Sequence, residues 1–123
     1  MSAGRFCTRE VVVASAPDTI RTAARRMAEH NVGAILVTDE ENRPAGILTA
    51  RDLAIRCVAE ERDIEGTTVG DVMTQPAPRV HEDTSIEDAL KKMASAGHRR
   101  LAVVDGQERL VGVLAMDDVL DWI

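Results

Sequence analysis

Slid along itself by 66 positions, the sequence aligns residues 15–57 with 81–123 without a gap, and this internal duplication limits the possible folds more than any other feature. Ten of the 43 pairs are identical: Ile20/Ile86, Ala23/Ala89, Met27/Met93, Ala28/Ala94, Val37/Val103, Asp39/Asp105, Arg43/Arg109, Gly46/Gly112, Leu48/Leu114 and Asp52/Asp118. The apolar exchanges Ile35/Leu101, Ile47/Val113 and Leu53/Val119 keep the same register. At 123 residues there is room for about one domain's worth of core, so two copies must share it.

Each copy has the same local grammar. A short β-prone run, Val11 to Val13 or Arg79 and Val80, leads into polar residues suited to capping a helix. Ile20, Ala23, Ala24 and Met27, and Ile86, Ala89, Leu90 and Met93, follow the i, i+3, i+4, i+7 spacing that predicts one buried helical stripe. Arg25-Arg26 and Lys91-Lys92 fall on the opposite, solvated face. The runs Ala34 to Val37 and Leu101 to Val104 predict buried strands. Turn-rich links at 39–43 and 105–109 bring back a second strand, at Ala45 to Leu48 or Leu110 to Leu114, and a final helix starts near Ala50 or Met116. The expectation is an α/β fold of two β-α-β-β-α units, packed sheet to sheet about a pseudo-twofold axis. Residues 1–62 are assigned to the N-terminal segment and first copy, 63–78 to a connector with one short helix at Val69, Val72 and Met73, and 79–123 to the second copy.

Composition narrows the function. With 15 Lys and Arg against 21 Asp and Glu, the net charge of −6 argues against a nucleic-acid or anionic-membrane surface. One Phe, one Trp and no Tyr offer little for stacking bases. Two distant cysteines imply no disulfide framework, and no apolar run is long enough to span a membrane, so a cytoplasmic protein is expected. His30, His81 and His98 have no metal-ligand spacing, and no nucleophile with an adjacent base or phosphate-cradling glycine loop is visible, so neither a metal nor catalysis is expected. Met27, Met93 and Met116 read as core filler.

The paired stretches VGAILVTDEENRPAGILTARDL (32–53) and HRRLAVVDGQERLVGVLAMDDV (98–119) resemble a tandem of CBS domains, the cystathionine-beta-synthase motif that pairs as a Bateman module. The resemblance covers residues 11–123 and implies a stand-alone, non-enzymatic regulatory module. It further implies an adenosyl ligand (AMP, ADP, ATP, an NAD-type nucleotide or S-adenosylmethionine) in the cleft between the repeats, and a homodimer formed through the repeat helices. No required cofactor is implied. The family's ligand motif matches Ile47-Leu48-Thr49-Ala50-Arg51-Asp52, which casts Thr49 as a phosphate contact and Asp52 as the ribose contact. A carboxylate suits a cis-diol because its two oxygens can accept from both hydroxyls. In the second copy Asp118 keeps the ribose position, but Ala115 replaces the hydroxyl, and Arg99 and Arg100 stand where the first copy has Gly33 and Ala34. A basic residue at this strand start binds phosphate in related regulatory subunits, so Arg99 and Arg100 are further phosphate candidates, able to fork onto two oxygens. Thr49-x-x-Asp52 equally fits a helix capping box, and Asp118 beside Asp117 fits a favourable helix start. A structural or protein-interaction disc with a degenerate ligand cleft is the rival reading. Trp122 is expected at a subunit contact.

Overall fold

A computed structural model of the chain describes residues 1–122, with side chains through Leu120. It contains two compact units, Val12–Pro76 and Met1–Val11 together with Ala77–Ile123. Each unit holds one repeat in the expected β-α-β-β-α order, and each also recruits a short helix from outside that order.

In the first unit, β1 (Val13–Ala14) pairs parallel with β2 (Ala34–Thr38), which pairs antiparallel with β3 (Pro44–Thr49). Helix α2 (Ile20–His30) begins where the Thr19 hydroxyl accepts the Thr22 N–H and ends on Asn31 in the left-handed region (φ 51°). Helix α3 (Ala50–Asp52) continues as a π-helical turn over Leu53–Val58. The core joins Ile20, Met27, Ile35 and Leu48 to Val69 and Val72 of α4 (Val69–Val72). Ala24, expected in the buried stripe, is solvent-exposed, because the helix turns only Ile20, Ala23 and Met27 inward.

The second unit repeats this with β4 (Arg79–His81), β5 (Arg100–Val104) and β6 (Leu110–Ala115), again parallel then antiparallel. Helix α5 (Ile86–Ala96) is capped by Ser85 and stopped by Gly97 (φ 71°); α6 (Met116–Trp122) follows β6. Its core sets Met93, Leu101, Leu114 and Val119 against Ala3 of α1 (Ala3–Phe6).

Thus α1, from the extreme N-terminus, does for the second repeat what α4 does for the first. Ala3 and Val69 are 66 residues apart, and Gly4/Gly70 and Thr8/Thr74 are identical pairs at that offset, so the duplication extends upstream of the stretch recognised in the sequence. The segments after these helices cross the open sheet edges as straps. Thr74 exchanges two backbone hydrogen bonds with Ile47 on β3 (both 2.9 Å), and Thr8 does the same with Val113 on β6 (2.8 and 3.0 Å). Pairing covers an edge that would otherwise present unpaired backbone groups.

The repeated glycine is explained by this crossing. A Cβ on Gly46 would lie 2.6 Å from the Met73 sulfur, and one on Gly112 would lie 2.5 Å from the Thr8 carbonyl oxygen. Neither position has the positive φ that favours glycine, so the requirement is space for a passing backbone. A second paired device secures the opposite edge: the Arg26 guanidinium donates to the Val13 carbonyl and the equivalent Lys92 ammonium to the Arg79 carbonyl. Arg26, expected to be merely solvated, therefore ties α2 to β1 and also pairs with Asp18 at 3.1 Å.

Candidate functional site

In each repeat the chain turns from its last strand directly into a helix, and the candidate residues of the two repeats differ at that corner. In the first repeat β3 ends at Thr49, which faces Ala34 across the β2–β3 ladder. The Asp52 backbone N–H donates to the Thr49 hydroxyl oxygen (3.0 Å), and the Thr49 backbone N–H donates to an Asp52 carboxylate oxygen (3.0 Å). This is a complete capping box, and the Ala50 N–H is taken up separately by the Gly33 carbonyl (2.8 Å).

The capping role leaves ligand capacity in place. The Thr49 O–H proton is not used by the cap, and the cap occupies one of about four acceptor positions on the carboxylate. The second Asp52 oxygen lies 3.9 Å from Arg56 Nε, while the other end of that guanidinium donates to the Val72 carbonyl. Arg56 is thereby moored beside Asp52 as a local positive charge.

In the second repeat the equivalent cross-strand pair is Arg100 opposite Ala115. The polar group has moved from the end of the last strand to the start of its neighbour: Ala34 and Thr49 become Arg100 and Ala115. Arg100 is exposed and makes no ion pair among the described residues. Arg99, also exposed, donates to the Asp117 carboxylate at 3.2 Å, and its carbonyl accepts the Met116 N–H. An exposed pair of this kind contributes about 0–1 kcal/mol, so Arg99 can exchange Asp117 for another anion at little cost. Asp118 is exposed. The corner therefore presents two arginines without the hydroxyl of its counterpart.

The turns behind these corners are rigid by the same device in both copies. Asp39 accepts the backbone N–H groups of Glu41 and Arg43, and Asp105 those of Gln107 and Arg109. These hydrogen bonds hold both carboxyls below their ordinary pKa. Burial pushes the Cys7 and Cys57 thiols up, which keeps them protonated at neutral pH and unsuited to nucleophilic attack. Among the described residues no group of three His, Cys, Asp or Glu side chains is arranged to hold a metal, and no helix is long and apolar enough to cross a membrane. The side chain of Trp122, expected at a subunit contact, lies outside the described residues.

Comparison with known proteins agrees with this geometry. The family model for the CBS domain matches residues 3–58 and 69–123, including both recruited helices. The uncharacterized protein MK0525 of Methanopyrus kandleri is 35% identical over 120 residues, which is 98% of this chain and 61% of that protein, so the chain spans about three fifths of this relative's length. Among solved structures, Hypoxic Response Protein I with two coordinated zinc ions superposes with a TM-score of 0.91 at 28% identity, over 100% of this chain and 99% of that one. The cytosolic domain of the Mg2+ channel MgtE in complex with ATP gives a TM-score of 0.85 at 31% identity, over 99% of this chain and 48% of that one. Two tandem matches covering nearly all of its residues show that the chain belongs to the CBS-domain family.

Proposed function

We propose that the chain is a non-enzymatic sensor module that binds an adenosyl ligand bearing phosphate, such as AMP, ADP, ATP or an NAD-type nucleotide, and works as a homodimer built through its repeat helices. The observation that carries this reading is the Thr49–Asp52 corner, whose capping hydrogen bonds leave a hydroxyl proton and most of a carboxylate available to a ribose and its phosphate. Arg100 and Arg99 supply a second phosphate-binding element, and Asp118 a second ribose contact. The ATP complex of the MgtE cytosolic domain supports the ligand class. S-adenosylmethionine offers Arg100 a single carboxylate beside two positive charges of its own in place of a phosphate, which ranks it below the nucleotides. Regulation requires that the ligand prefer one arrangement of the module over another.

A protein-interaction disc without a ligand is the second reading. It is favoured by Ala115 and by Val32-Gly33-Ala34 standing where the other copy is basic.

Isothermal titration calorimetry against AMP, ADP, ATP, NAD and S-adenosylmethionine decides between them, with Asp52→Asn and Arg100→Ala as variants and urea stability measured on each. Saturable binding weakened at least tenfold by Asp52→Asn, in a chain that remains folded, supports the sensor. No heat and no thermal stabilisation with any of the five, for protein freed of bound nucleotide, supports the disc.

A further inference from the structure

One backbone contact closes the corner of each repeat. The Ala50 N–H donates to the Gly33 carbonyl (2.8 Å), and the equivalent Met116 N–H donates to the Arg99 carbonyl (2.9 Å). Each bond joins the residue before a strand to the first residue of the helix, and so sets position 33 near position 51, and 99 near 117.

The side chains at this contact have been exchanged. In the first copy Gly33 offers none, and Arg51 is exposed with no ion pair among the described residues. In the second copy the helix position has changed sign, to Asp117, and the strand position has gained an arginine whose Nη2 lies 3.2 Å from the Asp117 carboxylate. Space does not force the difference, because a Cβ on Gly33 would meet nothing within 4 Å and its φ is not positive. Charge divides in the same way. Arg51 and Arg56 outnumber Asp52 at the first corner, whereas Arg99 and Arg100 are matched by Asp117 and Asp118 at the second.

Resting on the phosphate-binding reading above, we infer that Asp117 is a built-in competitor for Arg99 that weakens the hold of the second corner on a phosphate. Its carboxylate oxygen occupies the guanidinium as a phosphate oxygen would. Arg100, which has no such partner among the described residues, is then the guanidinium that meets a ligand first. An exposed ion pair limits the effect to about fivefold in affinity. The two copies thereby take phosphate with unequal strength on matching scaffolds.

ATP titrations followed by nitrogen-15 NMR test this, with the Met116 amide and the Arg99 Nε–H signal reporting the second corner and the Asp52 amide the first. Wild type, Asp117→Asn, Arg99→Gln and the double variant are compared, each checked for folding by urea unfolding. Asp117→Asn is expected to tighten ATP at the Met116 amide by about two- to fivefold in the wild-type background and by less than about 1.5-fold when Arg99→Gln is present. An equal gain in both backgrounds shows Asp117 acting only through its charge at a distance and overturns the inference, as does no gain in the wild-type background. ATP that shifts the Asp52 amide but never the Met116 amide overturns it too, while leaving the first corner as a nucleotide site. ATP that moves neither corner in any of the four chains overturns the phosphate-binding reading and the competitor with it.

Discussion

Replacing Gly112 by alanine tests whether the N-terminal strap holds the second repeat together. The new methyl would sit 2.5 Å from the Thr8 carbonyl oxygen and 2.7 Å from the Cys7 sulfur. A relaxed carbon contact needs about 3.5 Å, so the strap must retreat by roughly 1 Å. That displacement carries the two Thr8–Val113 hydrogen bonds, now 2.8 and 3.0 Å, past useful length. Two backbone hydrogen bonds at about 1 kcal/mol each give a loss of about 2 kcal/mol, within the range of about 1–3 kcal/mol for overpacked sites. Restricting the unfolded chain returns about 0.4–1 kcal/mol, which leaves a net loss of about 1–2 kcal/mol. Gly46→Ala should cost less, because the nearest atom there is the flexible Met73 sulfur, although the Thr74 carbonyl at 2.9 Å prevents a free exchange. Urea unfolding gives the stability, and hydrogen exchange at the Val113 amide reports the local opening. The decisive control is Gly112→Ala in a chain lacking residues 1–10, where the methyl has nothing to strike. A loss there equal to that in the full chain, or a fully protected Val113 amide in the variant, would refute the strap argument.

Thr49→Ala removes the capping box and should lower stability by about 1 kcal/mol, whereas Ala115→Thr, which supplies the missing half of the same box beside Asp118, should raise it by a similar amount; urea midpoints measure both. Glu108 holds a left-handed conformation (φ 63°) in the turn where the first repeat uses Asn42 (φ 62°), so Glu108→Gly should stabilise by about 1 kcal/mol in the same assay, and a loss would show that its distant ion pair with Arg79 outweighs the backbone strain. Asp39 and Asp105 have folded pKa values below the unfolded value near 3.9, so their contribution to stability is complete above that pH and is lost as the pH falls through the lower folded values. Urea midpoints should therefore decline below about pH 4, and Asp105→Asn should flatten that decline.

The features that sequence reading recovers are those carried by short-range pattern. The strand and helix order follows from periodicities that survive in both copies, and Thr49 meets Asp52 because three residues of helix bring them together. Contacts that depend on distant segments leave a much fainter trace. Gly112 stands out as repeated, but the reason for it is a backbone more than a hundred residues away, at Thr8. The strap itself is marked only by Gly4/Gly70 and Thr8/Thr74, two identities in a stretch too short to distinguish from chance. Helical spacing could not separate Ala24 from the buried stripe, since alanine satisfies the pattern whether it packs in a core or floors an open groove. Nor does periodicity reveal that Arg99 is already engaged by Asp117 whereas Arg100 makes no ion pair among the described residues. The repeats therefore keep their shared scaffold in residues that any reading of the pattern finds, and place their differences at positions 24/90, 34/100 and 49/115, where the pattern allows either residue. Divergence at 24/90 and 34/100 costs the fold little and at 49/115 about one capping box, so a duplicated chain can use all three to make one copy unlike the other.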